Sequence, residues 1–396
     1  MRVAIVGDAY VPLRTSGAIQ LRDLAIEFTK QGHEPAVLIP VPGLQSSWTL
    51  DHDAGVQILR VRSPRMKDVG YMRRTLAELY MPFAVLRGLH QSPLSRVKWD
   101  GVVWYSPSIF HGPLVRSLKL TSSCRSYLIL RDIFPEWAVD MGIMGHGLPY
   151  RFFKIIENYQ YSVADVIGVQ TPGNQAYFTA WAAQSHGRVE VLQNWLSAAP
   201  DTGCSISVRD TSLAGRKIFV YAGNMGVAQG MGVLLDLAES LGNRNDIGFL
   251  FVGRGRDCHR LRSDASARGL NNVLFFDEID PKEISGLYAQ CHIGLVSLDP
   301  RHRTHNIPGK FVSYMQCGLP VLASINPGND LVTLIEQEKV GRVCIDTNVE
   351  ALGSMANALV NDIVSDGDLK TRCKRVAARL FSPEVAVQQI VSALRA

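Results

Sequence analysis

The pattern that most constrains this chain is a short unbroken apolar run, a glycine-bearing loop and a stretch of helical spacing, begun twice. Residues 3–6 (VAIV) run into Gly7 and the Ser16-Gly17 pair, and Leu21, Leu24, Ala25 and Phe28 then recur on one helical face until Gly32. The same order returns at Arg216, where RKIFVYAGNMGVAQG leads into MGVLLDLAESL. An apolar run without alternation is a strand covered on both faces, the parallel strand of a βαβ unit.

Similar runs follow each start. In the first half they are residues 35–40, 56–61, 101–105, 126–130, 165–169 and 189–192; in the second, GFLFVGRG, NVLFFDE, IGLVSL, GLPVLAS and GRVCI. Helical stretches separate them, among them 281–291 and 310–317, and Ser-Pro-Glu at 382–384 opens a last amphipathic segment. Residues 197–215 are small and polar with no periodicity, which reads as a linker. The expected fold is therefore α/β, with two doubly wound Rossmann-like domains facing an interdomain cleft. Residues 1–197 form the first domain, 198–215 the linker and 216–380 the second domain, with 381–396 a C-terminal helix returning to the first.

Composition removes several classes. With 396 residues, 46% hydrophobic and 19% charged, the chain is too apolar for disorder and long enough for two cores. Its seven cysteines are scattered with no CxxC pair, which argues against a zinc ribbon, a redox motif or a disulfide framework and for a reducing compartment. The N-terminal apolar run is shorter than the roughly 7–15 residues of a secretory signal. No stretch reaches the roughly 18 apolar residues of a membrane span, so a cytoplasmic protein is expected. A net charge of +5 suits an anionic small molecule or a membrane surface. No nucleic-acid motif accompanies it.

Three segments of the second half carry chemistry. In THNIPGKFVSYMQCGLP (304–320), Pro308 and Gly309 stand where a helix begins and Lys310 is its first charge. A helix N-terminus offers unpaired N–H groups and partial positive charge, so a lysine there suits a diphosphate. YAGNMGVAQGM (221–231) places Gly223, Gly226 and Gly230 after the first strand of the half, where open α/β sheets bind ligands. FVGRGRD (251–257) has a partial GxGxxG but follows a later strand and has Cys258 at the last glycine position. This argues against an NAD fingerprint and leaves open a strand-end turn shaping a nucleotide pocket.

In the first half, RDIFPEWAVDMG (131–142) puts Arg131, Asp132 and Glu136 just past an apolar strand, as acceptor contacts or acid/base groups, or as a structural ion pair. His111 follows another strand and is either a base or a loop histidine. Between 60 and 96, eight Arg and Lys interleave with Tyr71, Met72, Leu76, Tyr80 and Phe83. This fits a helix on anionic lipid, or equally a helical hairpin with a solvated basic face.

Together these segments resemble the GT-B glycosyltransferases, specifically the retaining family GT4, over essentially the whole chain. The most specific likeness is PGKFVSYMQCGLPVLA to the family's P-S-K-x-x-E-x-M-A-x-G-x-P-V; QNWLS at 193–197, GNMGVAQG, VGRG and NVLFFDEID add to it. Among subgroups the chain is similar to bacterial O-antigen and capsule enzymes that transfer N-acetylfucosamine-type sugars. The resemblance implies a UDP-sugar donor, an undecaprenyl-diphosphate-linked saccharide acceptor, a peripheral position on the cytoplasmic face of the inner membrane, and no nucleic acid. It implies a donor and diphosphate site of Gly223, Asn224, Gly226, Gln229, Gly253, Arg254, Glu278, Ile279, His305, Asn306, Pro308, Gly309, Lys310 and Ser313. Ser16, Gly17, Arg131 and Asn194 would bind the acceptor, and Lys310, Glu136, Asp132 and His111 would be catalytic. No DxD or histidine cluster is present, so no cofactor and no obligatory metal are expected.

The sequence also departs from the family. The acids of its E-x7-E motif fall on His305 and Ser313, and its phosphate-binding Arg and Lys on Asn224 and Gln229. Arg301, His302 and Arg303 are candidates to compensate. These departures leave open a non-catalytic GT-B binding protein, and a GT-B nucleotide-sugar 2-epimerase is a further alternative.

Overall fold

Side chains alternate across a strand, and in this protein both faces of each strand are covered. In a computed structural model of the chain, Val3 and Ile5 of β1 (Arg2–Val6) enter one apolar cluster while Ala4 and Val6 enter another. That is why the run is continuous rather than alternating. The structure describes all residues except 14, 67–68, 185–186, 199–201, 300–306 and 347. It divides into two units, Met1–Leu196 with Ser382–Ala396, and Ser197–Phe381.

After β1, the first unit continues through α1 (Ser16–Lys30), β2 (Glu34–Pro42), β3 (Trp48–Asp53), β4 (Val56–Ser63), α2 (Tyr71–Gln91) and β5 (Gly101–Tyr105). Then come α3 (Gly112–Ser122), β6 (Arg125–Leu130), α4 (Glu136–Asp140), α5 (Leu148–Val163), β7 (Val166–Val169), α6 (Pro172–Gln175), α7 (Thr179–Gln184) and β8 (Arg188–Val191). The strand order is β3-β4-β2-β1-β5-β6-β7-β8, parallel except for β3. α2, α3 and α5 cover one face, burying Met81, Val85, Leu114, Val115 and Tyr161. α1 covers the other with Leu21, Leu24, Ala25 and Phe28.

The strand β3 is a departure from the uniform βα reading. It runs antiparallel to β4, and Ala54 and Gly55 between them both have positive φ (48° and 82°), the conformation of a tight two-residue hairpin. The region around 60–96 also resolves differently from a hairpin of helices: α2 is one helix of 21 residues with Pro82 inside it.

The second unit runs β9 (Lys217–Ala222), α8 (Gly232–Ser240), β10 (Ile247–Val252), α9 (Cys258–Ala267), β11 (Val273–Phe276), α10 (Ile284–Tyr288) and β12 (Ile293–Ser297). α11 (Gly309–Cys317), β13 (Val321–Ser324), α12 (Asp330–Glu338), β14 (Gly341–Cys344), α13 (Val349–Ser365) and α14 (Leu369–Leu380) complete it. Its sheet is parallel, ordered β11-β10-β9-β12-β13-β14. The described part of the stretch read as a linker is folded within this unit. Ile206, Val208 and Leu213 are buried, Thr202 Oγ1 donates to the Lys282 carbonyl at 2.8 Å, and Val208 N–H to Gln290 Oε1 at 2.9 Å. Three apolar residues spaced among polar ones are enough to anchor it, although they show no period.

The last helix, α15 (Pro383–Arg395), belongs to the first unit. Ser382 caps it by accepting from Val385 N–H, and Ala386, Val387, Ile390, Val391 and Leu394 are buried beside α1 and the strands. Gln389 Nε2 donates to Glu190 Oε1 and to the Val191 carbonyl, both at 2.8 Å, tying the helix to β8. Each fully buried aliphatic side chain contributes about 1.5–3 kcal/mol, so this helix is part of the core. Ile390→Ala is expected to lower unfolding free energy by about 2–5 kcal/mol in urea titration. A change under 1 kcal/mol would mean that the helix does not stabilise the first unit.

Candidate active site

In both units the strand order reverses beside the first strand, between β1 and β5 and between β9 and β12. Connections leave in opposite directions there and open a crevice at the carboxyl ends of the strands. In the second unit two glycine turns fill the edge of that crevice. Gly223 N–H donates to the Val252 carbonyl at 2.9 Å, Met225 N–H to the Arg254 carbonyl at 2.8 Å, and Asp257 N–H to the Met225 carbonyl at 3.0 Å. The loops after β9 and β10 are thus bonded backbone to backbone. Gly253 and Gly255 have φ of 144° and 149°, and a Cβ on either would collide with the backbone of Gly223 or Met225. The partial GxGxxG serves this loop-on-loop contact.

Helix α11 brings the lysine. Pro308 is its N-cap residue and provides no side-chain cap, and among the described residues no side chain caps the N–H groups of Gly309 and Lys310. Phe311, Val312, Tyr314 and Met315 are its buried face. The Tyr314 hydroxyl reaches the carbonyls of Val220 and Leu295 at 3.0 and 3.2 Å, seating the helix where β9 and β12 separate. Lys310 then points back over β9. Its Nζ donates to the Tyr221 hydroxyl at 2.6 Å and lies 3.9 Å from the ring centroid. A Cβ on Gly223 would be 3.7 Å from Lys310 Cε. Desolvation, with no compensating carboxylate among the described residues, pushes the Lys310 pKa down to about 7.

Asn224 and Gln229, standing where the family has two cations, bond to each other. Asn224 Nδ2 donates to Gln229 Oε1 at 3.2 Å, and the same oxygen accepts from Gly226 N–H at 3.0 Å. The pair closes the loop and brings no charge to it. Arg254 and Glu278 form an exposed ion pair at 3.1 Å, with Ile279 beside it half-buried. Ser313 is directed along its own helix, donating to the Gly309 carbonyl at 3.2 Å. His305 and Asn306, with Arg301, His302 and Arg303, lie outside the described residues.

The first unit's residues divide into two groups. Arg131 is buried: its guanidinium donates to the carbonyls of Leu192 and Gln193 at 2.9 and 3.3 Å and lies 4.7 Å from the Trp195 ring. Asn194 accepts from Gln20 Nε2 at 3.3 Å, and Trp195 Nε1 donates to the Gln20 carbonyl at 2.8 Å. Both therefore hold residues 192–195 against α1 and β6. Glu136 is held by Lys154 at 2.7 Å and Tyr150 at 3.0 Å, bracing α4 on α5. Ser16 and Gly17 are the first two residues of α1, capped by Thr15, and Gly17 lets the helix approach Tyr105 of β5.

The other group stands at the crevice. Asp132 is exposed just past β6. His111 is fully buried, and its Nε2 is 2.9 Å from Oδ1 of Asp8, whose side chain is partly exposed. Sequence reasoning missed Asp8 and Tyr221. The signal for Asp8 was its position directly after the first strand and Gly7. Tyr221 was indistinguishable from core until its hydroxyl partners were placed.

Two outcomes follow for this site. Lys310 is about half protonated near pH 7, and a bound diphosphate favours its charged form, so binding draws in a proton. Above the phosphate's own second ionisation near pH 6, nucleoside diphosphate affinity is expected to fall with rising pH, by up to about tenfold per unit between about pH 7.5 and 9. In Lys310→Ala, calorimetry should find that slope gone; an unchanged slope would assign the titration elsewhere. Gly253→Ala is expected to cost about 2–4 kcal/mol of stability, because backbone rather than a side chain must move. A melting temperature within a degree of wild type would contradict the nested geometry.

The fold agrees with comparisons to known proteins. Residues 216–362 match the family model for glycosyl transferases group 1. A probable glycosyltransferase, WbjE of Pseudomonas aeruginosa, is 22% identical over 283 residues, covering 68% of this chain and 67% of that protein. Among solved structures, WaaG, a glycosyltransferase involved in lipopolysaccharide biosynthesis, superposes with a TM-score of 0.65 at 16% identity, covering 98% of this chain and 99% of WaaG. Anabaena Alr3699/HepE in complex with UDP and glucose superposes with a TM-score of 0.67 at 15% identity, covering 100% and 99%. The chain therefore has the GT-B fold with a glycosyl transferases group 1 domain in its second unit, and it is an enzyme of the glycosyltransferase class.

Proposed function

We propose that the protein moves a sugar, with retention of anomeric configuration, from a UDP-sugar to a lipid-linked saccharide acceptor in O-antigen or capsule assembly. The observation that carries this reading is the half-buried Lys310 ammonium at the start of α11, facing the nested glycine loops with no carboxylate partner among the described residues. An incoming diphosphate would supply the negative charge that this cation lacks. A UDP donor is supported by the UDP complex of the structurally similar Anabaena protein, and surface-polysaccharide assembly by the part of WaaG in lipopolysaccharide biosynthesis. An N-acetylated aminosugar such as N-acetylfucosamine follows from the subgroup likeness, and no obligatory metal is part of the proposal.

In the reaction, the bond between the anomeric carbon and the diphosphate oxygen breaks while the acceptor hydroxyl oxygen bonds to that carbon. The acceptor's proton passes to the leaving phosphate, on the same face, which preserves configuration. Negative charge grows on the diphosphate, so Lys310 and the N–H groups of 309–310 and of Asn224 act where charge develops, those of Gly223, Met225 and Gly226 being bonded within the nested loops. Removing one such donor costs about 3–4 kcal/mol of barrier in comparable sites.

The acceptor's lipid would be met by α2. Met72, Leu76, Tyr80 and Phe83 are 82%, 64%, 52% and 56% exposed and recur at helical spacing, with Arg73 and Arg87 also exposed. The helix has a single carboxylate, Glu78, bonded to Arg74 at 2.8 Å. An apolar stripe flanked by cations suits an anionic bilayer surface. No helix among the described residues is long and apolar enough to cross a membrane.

Calorimetric titration with UDP, GDP and ADP should find selective UDP binding, reduced at least about 100-fold in Lys310→Ala, in line with the loss of a charge-assisted contact. No binding to any nucleotide would overturn the donor reading. Phosphatidylglycerol vesicles should sediment the wild-type protein and phosphatidylcholine vesicles should not. Leu76→Asp with Phe83→Asp should abolish the difference, and retained binding would place the membrane contact elsewhere.

A further inference from the structure

We infer that Tyr221 is the positioning residue that aims the Lys310 ammonium at the diphosphate, by joining it to the backbone of the loop after β9. The inference rests on the reading of Lys310 as a diphosphate ligand.

Tyr221 is fully buried near the end of β9, its ring 6.4 Å from that of Phe251. Its hydroxyl makes two bonds of opposite polarity. It donates to the Asn224 carbonyl at 2.6 Å and accepts from Lys310 Nζ at 2.6 Å. A phenol has one proton, so the bond to Asn224 fixes the hydroxyl as acceptor toward the lysine. One ammonium N–H is thereby committed, and the other two are directed from a known point. Lysine has four rotatable bonds and no planar fork of its own to set its aim. Here the ring beneath it, the hydroxyl at its tip and the bare Cα of Gly223 alongside confine the side chain to one path.

The same hydroxyl reaches the residue where the family pattern carries a cation. Asn224 contributes its carbonyl to Tyr221 and its amide to Gln229. Lysine and loop are therefore held through one oxygen atom, and a displacement of either moves the other. Phenylalanine at 221 would keep the ring face and the packing on Phe251 while losing both bonds.

The test compares UDP with uridine, which lacks the diphosphate, on wild type, Tyr221→Phe, Lys310→Ala and the double variant. Tyr221→Phe should weaken UDP by about five- to tenfold, the net value of a single hydrogen bond, and leave uridine within about twofold. In the Lys310→Ala background the same substitution should cost less than about twofold, because the two residues act as one unit. Equal losses for UDP and uridine would mean that Tyr221 only supports the fold. Additive losses of the tyrosine and the lysine would overturn the positioning role while leaving the donor site intact. Wild-type protein without affinity for UDP would overturn the donor reading itself and this inference with it.

Discussion

The contact on which the second unit's site depends is the backbone of Gly253 lying against that of Gly223. No side chain fits between them, so the loops after β9 and β10 are set by main-chain hydrogen bonds rather than by rotamers. That fixes the Asn224 carbonyl, which fixes the Tyr221 hydroxyl, which receives Lys310. The order of dependence runs from a steric requirement for glycine to the location of a charge. Such a site is preorganised, because the groups that would meet an anion are placed before it arrives.

A half-buried ammonium with no carboxylate partner among the described residues is costly, and desolvation drives Lys310 toward neutrality. The Tyr221 ring and hydroxyl offset part of that cost without cancelling the charge. A carboxylate in the same place would stabilise the lysine better and would compete with any diphosphate. The tyrosine is thus the partner that leaves the lysine available. Asn224 and Gln229 complement this arrangement: two cations there would repel a third, whereas the amide clasp closes the loop without changing the charge around Lys310.

The fold was readable because burial on both sheet faces leaves a simple trace, an unbroken apolar run, and because glycine loops and helical spacing separate the runs. β3 escaped because an edge strand with one neighbour needs no such run; Trp48–Asp53 is largely polar, and only the Ala54-Gly55 turn marks it. Residues 202–215 escaped for a related reason, since three spaced apolar side chains anchor a segment without any period. At the site, Lys310 and the glycine turns were legible from their positions at helix start and strand end. Arg131 and Asn194 lie beside the expected edge, yet their polar atoms are turned to backbone and to Gln20. Sequence position places a residue near a crevice; only the partner atoms say whether it faces in.

Tyr221 and Asp8 illustrate the converse. Both are single polar positions near a glycine at the end of the first strand of their unit, Asp8 directly after Gly7 and Tyr221 two residues before Gly223. In each unit, that position pairs with a basic side chain from another element: His111 in the first, Lys310 in the second. The recurrence follows from topology. The strand order reverses beside β1 and beside β9, so the end of that strand is the place where a helix start or loop from across the reversal can reach it. A doubly wound sheet therefore offers the same geometric opportunity twice. In the first unit it holds a carboxylate against a buried imidazole, and in the second a phenol against a half-buried ammonium.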